Sequence, residues 1–139
     1  MKYKILIIST PGVHLNDNFT SLLKKITKNN SVIIIRQENT FMLDINELLR
    51  YFYEEFDGIF IISLGEIKTG VIESKHRDFQ NKVKETNRIL AKRGLTDGRI
   101  KICSFNGKNY RKLNNFISQS FKNLIKLGLN PLKFEKLEV

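Results

Sequence analysis

The sequence predicts a doubly wound α/β domain, a four-stranded parallel sheet with helices on both faces. Three observations predict it. Four short runs are apolar without polar alternation, as expected of strands covered on both faces. Four other stretches carry apolar residues at helical spacing. The two kinds of segment alternate strictly, and a β-α-β-α-β-α-β-α order implies parallel strands joined by right-handed crossovers. The simplest sheet order for such a chain is 2-1-3-4.

Residues 2–9 form the first strand, apolar from Ile5 to Ile8, and Thr10-Pro11-Gly12-Val13-His14 breaks it. Asn16 or Asp17 then caps a helix in which Phe19, Leu22, Leu23 and Ile26 share a face, ending at Asn29-Asn30. The second strand, 31–36, is again apolar on both faces. After a loop, Asp44 caps a helix to about Phe56, with Ile45, Leu48, Leu49, Phe52 and Tyr53 facing inward.

Asp57-Gly58 turns the chain into the third strand, whose centre is the apolar run 59–62. A loop from Ser63 to about Glu73 follows. The third helix, 74–93, closes at Gly94 and is weakly amphipathic, with only Phe79, Val83, Ile89, Leu90 and Ala91 apolar. A helix that polar is partly detached or leans on something outside the chain. Residues 100–105 are the fourth strand. Asn106-Gly107 leads to a helix over 109–127 with a firm apolar stripe from Tyr110 to Ile125, ended by Gly128. Residues 130–139 read as an extended tail. No repeat or composition shift divides the chain, so residues 1–139 are expected to be one domain.

The 24 basic residues exceed the 14 acidic ones by 10. They are scattered, without interleaved aromatics or a helix-turn-helix, zinc-finger or ribonucleoprotein signature. An acidic protein partner, a nucleic acid and a merely solvated basic face all remain open, with nucleic acid the least supported. No apolar run approaches the ~18 residues of a membrane helix. A strand pattern begins at once, leaving no room for a signal peptide, so a cytoplasmic protein is expected.

The single cysteine, Cys103, excludes an internal disulfide and any cysteine-ligated cluster built by this chain alone. Within a strand it reads as a small buried hydrophobe.

In an open α/β sheet, ligands bind beyond the carboxyl ends of the strands. The turn there, residues 9–16, has one glycine and matches neither dinucleotide fingerprint nor P-loop. Ser9, Thr10 and Gly12 give a faint flavodoxin-like echo, and with Ser63 and Gly65 they offer hydroxyl and amide donors for a flavin or phosphate-bearing ligand. His14 lies at this rim and His76 in a charged helix start. No triad, zinc motif or carboxylate–base pair appears, and nothing asks for catalysis.

Several motifs carry a resemblance. Asp57-Gly58-Ile59-Phe60-Ile61-Ile62-Ser63, then Arg93-Gly94-Leu95, Arg99-Ile100-Lys101-Ile102, and a closing Leu127-Gly128-Leu129-Asn130-Pro131-Leu132-Lys133 resemble the delta subunit of methyl-viologen-reducing hydrogenase. The first half is compatible in length and order. The resemblance implies a small subunit that passes electrons, through an iron–sulfur cluster, between a hydrogenase or formate dehydrogenase and the flavin subunit of heterodisulfide reductase. It implies an archaeal, methanogenesis-related setting. The family's cysteines follow the first, second and third strands. This sequence has Ser9, Thr10 and Pro11 at the first place, Gln37, Glu38 and Asn39 at the second, and Leu64 and Thr69 at the third.

The expected protein is therefore a non-catalytic adaptor of a larger redox complex, with no cofactor or metal of its own. Its degenerate cluster pocket would comprise Ser9, Thr10, Gly12, His14, Ser63, Leu64, Gly65 and Thr69. Iron–sulfur or flavin subunits would dock on Lys75, Arg77, Lys82 and Arg88.

Overall fold

A computed structural model describes residues 2–9, 17–28, 30–37, 43–64, 70–105 and 107–135; at positions 17, 18, 20, 64, 70–76, 134 and 135 it describes the backbone alone. The elements are β1 (Lys4–Ser9), α1 (Asp17–Thr27), β2 (Ser31–Arg36), α2 (Ile45–Glu54), β3 (Gly58–Leu64), α3 (Gly70–Lys92), β4 (Ile100–Phe105), α4 (Tyr110–Leu127) and α5 (Leu132–Glu135). The strands form one sheet in the order β2-β1-β3-β4, all parallel, as expected.

Strand alternation sorts the apolar residues into two cores. Leu6, Ile8, Ile59, Ile61 and Ile100 face α2 and α3, meeting Leu48, Phe52, Phe79 and Leu90. Ile5, Ile7, Phe60, Ile62 and Phe105 face α1 and α4, meeting Phe19, Leu113, Ile117 and Leu124. Two helices on each face thus cover the central pair β1 and β3.

β2 departs from the expectation of cover on both faces. It lies at the sheet's end, and Ile33 and Ile34 are each 39% exposed. Its isoleucines report the preference of β-branched residues for a pleated strand as much as burial.

The caps follow the sequence. The Asp44 carboxylate accepts from the Glu47 N–H at 2.8 Å, and the Asn109 side chain accepts from the Lys112 N–H at 3.1 Å. Gly94, with φ of +88°, ends α3, where the Leu95 N–H donates to the Leu90 carbonyl.

α3 begins at Gly70 rather than at 74, so the loop expected to reach Glu73 stops short of Gly70. The propensities of Gly70, Val71 and Ile72 argue against helix, but propensity is a weak prior. Nor is α3 detached. Phe79, Val83, Thr86 and Leu90 are all buried, and the Thr86 hydroxyl is satisfied by the Lys82 carbonyl at 2.8 Å. Its sparse apolar stripe is narrow, but the chain's own core uses it.

Residues 130–135 are not the extended tail expected over 130–139, and 136–139 lie outside the described residues. Asn130 and Leu132 are fully buried, and α5 follows directly.

At Gly58 the sheet packs tightly against α4. A Cβ there would stand 2.9 and 3.1 Å from the Leu124 methyls and 3.5 Å from the Arg99 carbonyl. Gly58→Ala must push α4 outward or twist the Leu124 side chain. It is expected to destabilise by about 1–3 kcal/mol, read from the urea midpoint; an unchanged midpoint would show that Leu124 yields freely.

Candidate functional site

The carboxyl ends of the strands are where the sequence places a ligand. Ser9 ends β1 and Ser63 lies near the end of β3, each only 5% exposed. They are neighbours in the sheet, since Ser9 sits opposite Ile62. Their side chains nevertheless take opposite faces. Ser9 continues the alternation of Ile5 and Ile7 toward α1 and α4, whereas Ser63 continues that of Ile59 and Ile61 toward α2 and α3. The sheet therefore does not bring the two hydroxyls together. Leu64 closes β3. Thr10, Gly12, His14, Gly65 and Thr69 lie outside the described residues.

The expected docking residues lie on α3, where Lys75 is described by its backbone alone. Arg77 and Arg88 are exposed, and Lys82 is half-buried at the flank of the buried stripe. Arg88 is already engaged, donating to Glu85 one turn earlier through Nε at 2.9 Å and through a second nitrogen. That hydrogen bond holds the Glu85 carboxyl below, and the Arg88 guanidinium above, their ordinary values. An exposed pair of this kind contributes little to stability. Helical spacing places Lys82 on a different side of α3 from Arg77 and Arg88.

The densest polar assembly sits at the opposite, amino-terminal end of the sheet. Asp57 is fully buried. One carboxylate oxygen accepts from the Asn130 N–H at 2.7 Å; the other accepts from the Lys4 N–H at 2.7 Å and the Lys133 ammonium at 2.8 Å. Arg99, 3% exposed, donates to the carbonyls of Asp57 at 3.0 Å, Gly128 at 2.8 Å and Leu127 at 3.3 Å. Burial lowers the Arg99 pKa, and the nearby Asp57 charge opposes that shift. The Asn130 amide donates to the Phe52 and Phe56 carbonyls, both at 2.8 Å, and its oxygen accepts from the Leu132 N–H at 2.9 Å.

These residues are the Asp-Gly, Arg-Ile and Gly-x-Asn-Pro-Leu-Lys motifs. They form a clamp, not an active site. The carboxylate accepts from three donors and, fully buried, has no water-facing edge from which to move a proton. The sequence suggested only a turn at Asp57 and a tail at Asn130, because their partners are distant in the chain.

Cys103 lies in β4 with 6% exposure, on the α4 face. Burial raises its thiol pKa, and the Lys112 charge opposes this. Alkylation of the native protein by iodoacetamide at pH 8 is expected to be at least ten-fold slower than in denaturant. Equal rates would place the thiol in solvent.

A cluster requires several thiolates converging on one point. The only thiol of this chain is buried in β4. The donor set does not fit an iron–sulfur cluster. Among the described residues no group of three histidine, cysteine or acidic side chains is placed to hold a metal ion. None of their helices is long and apolar enough to cross a membrane.

Comparison with known families matches residues 17–128 to the family described as methyl-viologen-reducing hydrogenase, delta subunit. The match includes Asp57, Arg99 and Gly128 of the clamp and stops short of Asn130 and Lys133. No curated protein matches the chain.

Proposed function

Given that the chain belongs to the methyl-viologen-reducing hydrogenase delta-subunit family, we propose that it serves as a non-catalytic adaptor in a redox complex of the hydrogenase–heterodisulfide reductase kind, having lost the cluster. The family is one of subunits in a multi-subunit hydrogenase-type assembly. The observation that carries the reading is the donor set: a chain with one thiol, and that thiol buried in β4, has no means of ligating the cluster its resemblance implies. What this chain retains is the scaffold. The clamp of Asp57, Arg99 and Asn130 ties the sheet's amino-terminal end to the carboxyl ends of α2 and α4.

The role that follows is to hold partner subunits in register without relaying electrons. Iron–sulfur and flavin subunits are the partners expected, in a methanogenesis-related setting. The separation of Ser9 and Ser63 onto opposite faces gives the small-molecule alternative no support from the described residues.

The test is native purification at low salt with mass spectrometry of the partners, alongside anaerobic reconstitution of the isolated chain with iron and sulfide. The adaptor should be recovered with stoichiometric redox subunits, and the isolated chain should bind iron far below one cluster per chain. An isolated chain that acquires a stoichiometric cluster, or purifies with its own flavin, would overturn the reading.

A further inference from the structure

β4 ends the sheet on the side away from β2 and has no strand neighbour beyond it among the described residues. The Ile59 N–H donates to the Arg99 carbonyl at 2.9 Å, and Ile59 sits opposite Ile100. In a parallel pair this turns the backbone groups of Lys101, Cys103 and Phe105 toward β3. Those of Ile102 and Ser104 therefore point outward. Beside this edge runs an open groove of about 660 Å³ between α3 and α4.

The groove is lined by side chains suited to an extended backbone. Gln80 on α3 and Asn115, Gln119 and Asn123 on α4 offer amide donors and acceptors on both sides of the edge. Its charged lining is wholly basic, Lys101 and Lys112. α4 behind it carries Arg111, Lys112, Lys122 and Lys126 and no acidic residue. The Lys112 charge is felt at the groove floor, where it acts on Cys103.

We propose that the outer edge of β4 and this groove take up an extended acidic segment of a partner subunit, which adds to the sheet as a fifth strand. Main-chain bonds to Ile102 and Ser104 supply the generic attraction, and Lys101 and Lys112 select acidic side chains. A second copy of the chain is the wrong occupant. It would bring another Lys101 and another α4 of the same charge against the first, and like charges across a strand pair oppose association. The opposite edge at β2, with its exposed isoleucines, has no comparable charge to choose a partner.

The inference rests on the adaptor reading for the existence of a partner, and the experiment separates the two. A synthetic peptide alternating Glu with Val and Thr is titrated into the full chain, with amide exchange followed residue by residue. Protection at Ile102 and Ser104, lost on N-methylation of alternate peptide residues and weakened at least ten-fold by Lys101→Glu with Lys112→Glu, is the expected result. A lysine-substituted peptide should not bind. Binding elsewhere, no binding, or amides at Ile102 and Ser104 already protected in the free chain would overturn the site.

The same exchange measurement on the native complex distinguishes the failures. A complex that forms with Ile102 and Ser104 unprotected overturns the edge site and leaves the adaptor reading standing. Peptide protection in a chain that recovers no subunits supports the edge site and overturns the adaptor reading.

Discussion

Asp57→Ala is expected to lower the unfolding free energy by about 3–5 kcal/mol, the scale for breaking a buried charge pair from one side. The substitution takes the acceptor from the Lys4 and Asn130 N–H groups and removes the ion pair between Asp57 and Lys133. It also removes the negative charge nearest Arg99, which stays buried. Against a typical domain stability of about 5–15 kcal/mol, such a loss removes a large share. Asp57→Asn keeps one oxygen as an acceptor and should fall between wild type and Asp57→Ala, so the series remains measurable if the alanine variant unfolds. Urea denaturation followed by circular dichroism reads both. A loss under about 1 kcal/mol in Asp57→Ala would mean that solvent replaces the carboxylate and that the clamp is not closed.

Asn130→Ala should cost on the order of 3 kcal/mol, because it strips partners from three buried backbone groups, each costly to leave unpaired. Two are the Phe52 and Phe56 carbonyls at and just beyond the end of α2, where a helix has orphan acceptors. The third is the Leu132 N–H, which sets the entry to α5. Asn130→Asp is the sharper control. It preserves shape but presents a carboxylate to two carbonyls, so it should be at least as damaging as alanine at neutral pH. If aspartate were tolerated as well as asparagine, the side chain would not be holding those carbonyls.

Strand number, parallel direction and sheet order were all legible, since each depends on local runs and their alternation. Burial was less legible. Ile33 and Ile34 look the same in sequence as Ile7 and Ile8, and only position in the sheet makes one pair an edge and the other a core. The polarity of α3 suggested an external support that Phe79, Val83 and Leu90 do not need. The clamp was invisible for a different reason. Asp57 reaches partners 53, 73 and 76 positions away, and no local pattern encodes that meeting. What made these residues stand out was family resemblance, and the structure explains it as folding chemistry at the end of the sheet opposite to where ligands bind.

The clamp also sets a timetable. Synthesis is vectorial, and all four strands of the sheet precede residue 106. At that stage Asp57 and Arg99 still lack the acceptors and donors supplied by residues 127–133. Closing the sheet sooner would bury two charges whose main partners have not yet been made, a costly state in a dry interior. Domains made on the ribosome generally fold as units. Here residues 127–133 supply those partners, so Asp57 and Arg99 are buried in satisfied form only when that segment is in place.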